Sequence, residues 1–311
     1  MHKSIRFLAI LAVTGITFFF INATSKHQNT TSHTKAPLQD SIIKNVSNSY
    51  EIKALKLTSY MELAGEAVPL EKTDIRERMD RELLVNTYWQ SNGLLLIKRA
   101  NKFFPIIEPI LAENGIPDDF KYLALAESGF LNVKSHAGAA GFWQFMRTTA
   151  KEYGLEVNKN VDERYNLELA TKMATRYLKK AKEKFGSWTL AAAAYNAGSA
   201  RINKRLTEQK VSNYYDLLLN IETSRYVFRI LALKEVISNP KKYGFVYDTE
   251  DLYTLPKTYT IEVTTPIASI PDFAKEHNVT YKELKLANPW LRETKLVNVS
   301  GKKYYIKIPV E

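Results

Sequence analysis

A glutamate set in an apolar stretch is the first residue of this chain whose surroundings point to chemistry. It lies in Ile116-Pro-Asp-Asp-Phe-Lys-Tyr-Leu-Ala-Leu-Ala-Glu-Ser-Gly-Phe130. If Pro117 opens a helix, then Phe120, Leu123 and Glu127 fall at i, i+3 and i+7 and share one face. That face is apolar, so the carboxyl of Glu127 points inward. Gly129 ends the helix and leaves Glu127 in its last turn. Desolvation and the negative end of the helix dipole both disfavour an anion there. A carboxylic acid that keeps its proton near neutral pH is a general acid, of the kind that protonates a glycosidic oxygen. A second reading of the segment is a glutamate that caps the helix or pairs with a lysine.

Three further segments carry polar groups in unusual settings. Ser135-His-Ala-Gly-Ala-Ala-Gly-Phe-Trp-Gln-Phe-Met146 crowds small residues before an aromatic-amide cluster. Small residues let backbone approach a ligand closely. Trp143 offers a stacking face there, and Gln144 an amide able to pair with an N-acetyl group. The same stretch also reads as a tight turn against core aromatics. Ala191-Ala-Ala-Ala-Tyr-Asn-Ala-Gly198 reads as a thin, closely packed helix that presents Tyr195 and Asn196 where it stops, or as a simple Asn-rich C-cap. In Ile221-Glu-Thr-Ser-Arg-Tyr-Val-Phe228, Glu222 has the spacing to pair with Arg225 or Tyr226, as a surface turn also would.

The elements that must position these groups are mostly helices. Leu83, Leu84 and Tyr88 recur at helical spacing, as do Leu94 to Ile97 after Asn92-Gly93, and Phe103 to Leu111 gives another apolar face. Helices are predicted over Leu167–Phe185, Thr189–Tyr195 and Tyr226–Ile237, with few strands before about residue 245. After Pro240 and Gly244 the pattern changes. Tyr259 to Val263 and Tyr304 to Ile308 read as strands, with short helices over Phe273–Asn278 and Tyr281–Asn288 between them. The expected fold class is mainly α: a helical domain over 51–250 and a small α+β module over 257–311, the latter marginal by itself.

The order Glu-Ser, Gly-Phe-Trp-Gln, Ala-Tyr-Asn-Ala-Gly, Glu-Thr-x-x-Tyr-Val resembles the soluble-lytic-transglycosylase family, whose fold is lysozyme-like. The Trp-Gln and Glu-Thr-x-x-Tyr-Val forms look most like its membrane-bound D-type branch. The resemblance covers about Tyr60 to Phe245. It implies that Glu127 is the sole catalytic acid/base and that Ser128 positions substrate or the carboxyl. It further implies that Gln144 contacts an N-acetyl sugar, that Tyr195 and Asn196 line the cleft, and that Tyr226 lies near the catalytic carboxyl. The stretch Asp162-Glu-Arg-Tyr-Asn166 carries Asn166 where relatives often have proline, which is expected to be a structural variation. Asp118 and Asp119 read as N-terminal dipole residues, leaving one carboxyl in a motif.

The implied activity is non-hydrolytic cleavage of the MurNAc-GlcNAc β-1,4 bond of peptidoglycan, giving 1,6-anhydromuramyl ends. The alternatives are a goose-lysozyme-like muramidase and a non-catalytic peptidoglycan-binding protein. The tail resembles a LysM carbohydrate-binding module, but Thr264-Thr-Pro-Ile-Ala-Ser stands where the usual Ser-Gly-Asp-Thr-Leu loop would be.

Composition bounds the rest. There is no cysteine, which excludes disulfides, thiolate metal sites and a lipidated cysteine. With five histidines and no HExxH, neither a metal nor another cofactor is expected. The net charge of +11 draws the chain to polyanions. No nucleic-acid-binding motif accompanies it, and residues 1–23 read as a signal peptide or N-terminal membrane anchor. Residues 24–50 read as a polar linker. The expectation is an exported, periplasmic protein that acts on peptidoglycan strands, with membrane association through its N-terminus and no nucleic-acid partner.

Overall fold

The computed structural model describes residues 52–310; the expected signal or anchor at 1–23 and the linker at 24–50 lie outside the described residues. A short hairpin, β1 (Glu62–Leu63) and β2 (Glu66–Ala67), precedes α1 (Thr73–Tyr88) and α2 (Gln90–Glu113). There follow α3 (Phe120–Ser128), α4 (Arg147–Glu152), a 3-10 turn at Glu163–Tyr165, α5 (Leu167–Phe185) and α6 (Trp188–Ala197). Then come α7 (Ser199–Gln209) and α8 (Ile221–Ser238). The architecture is mainly α, as the periodicity predicts.

Two local expectations need correction. Asn92-Gly93 does not interrupt the chain; the break falls at Trp89, and Gly93 sits inside α2. Any Cβ at Gly93 would come within 2.5 Å of the Phe245 ring, so this glycine serves packing rather than a turn. Pro117 does not open α3 either. Residues 117–119 form a lead-in turn whose carbonyls accept from Phe120, Lys121 and Tyr122, and regular helix begins at Phe120. The shared face is unaffected, since Phe120 and Leu123 are buried on the side that carries Glu127.

Helix α8 forms the axis of the helical part. It packs on α1, α3 and α6, and Tyr226, Val227, Phe228, Ile230, Leu231 and Leu233 are all buried. A helix apolar on nearly every side belongs in a core. The hairpin ahead of α1 ties the elements around it. Glu66 accepts from the backbone N–H groups of Trp188 and Thr189 and from the hydroxyls of Ser187 and Thr189. These satisfy donors that the start of α6 otherwise leaves unpaired. Burial alone would push the Glu66 carboxyl up; the donors outweigh it and hold it at about 2. Asp119 accepts from the Ala64 N–H at 2.6 Å and from the Lys234 ammonium at 2.7 Å, which joins the hairpin to α3 and α8.

The tail pairs β3 (Thr258–Val263) antiparallel with β4 (Tyr304–Pro309), with Ile261 opposite Ile306. Helices α9 (Ile270–Glu276) and α10 (Tyr281–Ala287) lie between them in sequence. Their buried Ile270, Ala274 and Leu284 pack with Ile306 and Ile308. This core is not self-contained: Ala140, Val161 and Tyr165 of the helical part belong to it. Backbone crosses the seam as well, with Asp162 N–H donating to Trp290 O and Arg292 N–H to Asn160 O, both at 2.9 Å. The Arg292 guanidinium stacks 4.2 Å from the Tyr165 ring centre. Asn166 is the N-cap of α5, its side-chain oxygen accepting from Leu169 N–H at 3.1 Å. An asparagine at this position therefore supplies a capping acceptor that proline lacks.

Candidate active site

Glu127 sits in the last turn of α3, which Gly129 closes in the left-handed region at φ 57°. The hydroxyl of Tyr226, on α8, donates to Glu127 Oε1. Tyr226 is buried, whereas Glu127 keeps a partly exposed edge. Burial raises the Glu127 carboxyl to about 7; the Tyr226 hydroxyl and the Arg229 charge oppose that rise, and the Glu222 charge adds to it. The result is an acid poised near neutrality. Burial and the nearby Glu127 charge push both Tyr226 and Tyr195 well above the ordinary tyrosine value, so both remain donors.

Ser128 and Tyr195 hold the Phe142–Gln144 loop from two sides. Ser128 Oγ donates to Phe142 O at 2.9 Å, and Tyr195 Oη donates to Trp143 O at 2.6 Å. Gln144 occupies the left-handed region at φ 50°, uncommon for a residue with a Cβ. Its amide donates to Gly141 O at 2.7 Å and Val133 O at 3.1 Å, while Oε1 accepts from none of the described residues. The free acceptor suits the N–H of an acetamido group. Backbone strain held by side-chain bonds is a feature of ligand-binding loops.

Of the two readings of this stretch, the structure takes the turn packed against core aromatics, and Trp143 is no stacking face. It is 0% exposed, and its indole N–H donates to Thr171 Oγ1 at 2.9 Å. The small residues ahead of it bring backbone close to backbone rather than to a ligand. At Gly141, φ 78°, a Cβ would lie 1.9 Å from the Arg164 carbonyl oxygen.

Glu222 pairs with neither Arg225 nor Tyr226. It accepts from Asn196 Nδ2 at 3.2 Å, and Asn196 Oδ1 accepts from Thr223 Oγ1 at 2.8 Å. Asn196 thus ties the end of α6 to the start of α8. Arg225 turns instead to Glu82 on α1, at 2.6 Å. Glu82 is 1% exposed, and an anion so deeply placed needs a cation more than the exposed Glu222 does. Asp118 bonds Lys121 and Asp119 bonds Lys234, so each has a cation of its own. Arg229 is the residue that sequence reading missed. The signal was present in the spacing, because Glu222, Tyr226 and Arg229 fall at i, i+4 and i+7 on α8.

Glu127, Tyr226, Tyr195 and Asn196 therefore come together from α3, α8 and α6, beside the Gln144 loop. Removal of the Tyr226 hydroxyl takes away a donor that favours the carboxylate. Tyr226→Phe is expected to move the alkaline limb of the pH–rate profile to higher pH and to lower kcat by about tenfold to a hundredfold. A pH–rate series on the purified variant checks this; an unmoved limb would deny the bond a role in tuning the acid.

Two family models match parts of the chain. Residues 104–218 match the transglycosylase SLT domain, and residues 259–311 match the soluble lytic transglycosylase C-terminal LysM-like domain. Glu127, Ser128, Gln144, Tyr195 and Asn196 fall within the first; Tyr226 and Arg229 lie beyond it. Over 240 residues the chain is 28% identical to the membrane-bound lytic murein transglycosylase D of Escherichia coli strain K12, covering 75% of this chain and 51% of that protein. The same figures hold for the transglycosylase D of E. coli O6:H1 strain CFT073. The chain thus spans about half the length of the curated relatives it matches. Among solved structures, the 70 kDa soluble lytic transglycosylase of E. coli overlays at TM-score 0.40 and 17% identity, over 64% of this chain and 40% of that one.

Proposed function

We propose that this protein is a peptidoglycan lytic transglycosylase with Glu127 as its acid and then its base. The observation that carries the reading is a carboxyl raised to about 7, partly exposed, hydrogen-bonded by a buried tyrosine and set in a matched SLT domain. As the acid, Glu127 gives its proton to the oxygen between N-acetylmuramic acid and N-acetylglucosamine, and the bond from that oxygen to the muramyl C1 breaks. The muramyl acetamido oxygen stabilises the electron-poor C1 from the substrate itself, so one protein carboxyl suffices. Glu127, now ionised, takes the proton of the muramyl C6 hydroxyl, and O6 closes on C1. The products are a free N-acetylglucosamine end and a 1,6-anhydromuramyl end. The proton Glu127 gave is returned, and no water is consumed.

Gln144 Oε1 and the side chains of Tyr195 and Asn196 are the groups assigned to hold the sugars, with Ser128 fixing the loop that carries Gln144. The reading includes export to the periplasm through residues 1–23, membrane association if that segment is retained, and no nucleic-acid partner. Among the described residues no helix is long and apolar enough to cross a membrane.

The test is mass spectrometry of fragments released from purified peptidoglycan. Products lighter by one water and lacking a reducible end support the proposal. Reducing ends of full hydrolytic mass make the protein a muramidase on the same site. Binding without any product makes it a peptidoglycan-binding protein.

A further inference from the structure

A recess of about 760 Å³ lies where α5 meets the sheet of the tail. Lys172 and Arg176, one turn apart on α5 and both exposed, line one side. Thr260 and Tyr305, from β3 and β4, line the other, and the Tyr305 ring is 56% exposed. None of these four residues belongs to the motifs around Glu127.

The ion pairs around the recess decide its chemistry. Lys302 is held by Glu156 and Glu163, Lys303 by Glu262, and Lys307 by Glu168. Those three cations are neutralised. The Lys172 ammonium has no ion-pair or hydrogen-bond partner among the described residues, and the Arg176 guanidinium donates only to the carbonyl of Tyr153. Two uncompensated cations, on helix positions whose Cβ atoms stand about 6 Å apart, thus share a concave space with an aromatic ring. A guanidinium binds a carboxylate through two parallel bonds, and an ammonium beside it accepts a second anionic group. The exposed ring offers an apolar face to whatever lies between.

We propose that this recess holds a carboxylate-bearing peptide stem of the cell-wall polymer, at residues distinct from those that cut the glycan. The proposal rests on the peptidoglycan reading above for the identity of the polymer. The tail then contributes to substrate binding through its sheet rather than through the loop Thr264–Ser269, where the usual glycan-binding sequence is missing.

The test measures binding by fluorescence anisotropy, with every chain carrying Glu127→Gln so that nothing is cut. The probes are glycan strands that keep their peptide stems and the same strands freed of stems by amidase. Lys172→Glu/Arg176→Glu is expected to weaken binding of stem-bearing strands about tenfold and to leave stem-free strands unchanged. Lys179→Glu/Lys180→Glu makes the same charge change on exposed positions of α5 outside the recess, and is expected to leave both affinities unchanged. Equal losses for the two double variants would reduce the effect to net charge and overturn the proposal. Equal losses on stemmed and bare strands would overturn it as well, by moving recognition to the sugar. If stemmed-strand affinity held while binding to phosphatidylglycerol vesicles fell, the recess would be a lipid contact instead. Failure of the cutting reaction would show as absent products with active Glu127 present, and leaves these binding comparisons separately readable.

Discussion

Glu127→Gln is expected to lower turnover on isolated peptidoglycan by about a thousandfold and, at the same time, to stabilise the protein in alkali. The first effect follows because an amide neither gives nor takes the proton. The second follows from the raised carboxyl. Its folded value is about 7 against an ordinary value of 4.5, so the fold holds a proton that the unfolded chain releases. Below about pH 4.5 the carboxyl is protonated in both states and ionisation costs nothing. Between that pH and 7 the unfolded chain gains by ionising. Above 7 the folded state must also ionise a desolvated group, and the full penalty, on the order of 3 kcal/mol, is present. Glutamine carries no such penalty and retains an oxygen for the Tyr226 hydroxyl. Denaturant melts should therefore show the variant more stable than the parent at pH 8 and equal to it at pH 4. Equal stability differences at both values would mean that the carboxyl titrates normally.

Gly141→Ala should be the most damaging small substitution in the helical part. A Cβ there would meet the Arg164 carbonyl at 1.9 Å, with φ at 78°. The obstacle cannot swing away, being backbone in the 3-10 turn Glu163–Tyr165. The Arg164 guanidinium also anchors that turn, with bonds to Asp162, Gly138 O and Phe145 O. The cost is expected to exceed about 3 kcal/mol, and activity should fall with it because the Gly141 carbonyl accepts from the Gln144 amide and the Phe142–Gln144 loop follows directly. Gly138→Ala separates the two causes. It has φ 91° but nothing within 4 Å of a Cβ, so it carries backbone strain alone, about 1 kcal/mol. Matching losses in equilibrium unfolding of the two variants would show that the close approach to Arg164 is relaxed in solution.

Local pattern carried much of this in advance. Helix α5 spans Leu167–Phe185 as its apolar spacing predicts, and the tail strands fall where alternation puts them. The meeting of Tyr226 with Glu127 was legible through the resemblance, because each sits in a motif. What stayed hidden depends on partners far away in sequence. Nothing near Arg225 reveals that its partner is Glu82, 143 positions earlier. Trp143 reads equally as a platform or as core, and only the Thr171 hydroxyl, which accepts from its indole N–H, decides for core. Gly141 reads as room for a ligand or as a tight turn, and the Arg164 carbonyl, distant in sequence, decides for the turn. The hairpin at Glu62–Ala67 is too short for periodicity to register, yet Glu66 completes the start of α6.

The seam at Ala140, Val161 and Tyr165 bears on how such a chain can be rearranged. A tail whose interior is partly furnished by its neighbour is not a portable cassette. Fused to an unrelated enzyme, it would arrive with a hole in its middle, and the donor would be left with bare apolar side chains. Through recombination the two parts would be inherited together. Changes in their relative angle would have to come through substitutions in the shared packing rather than through the length of a connecting peptide.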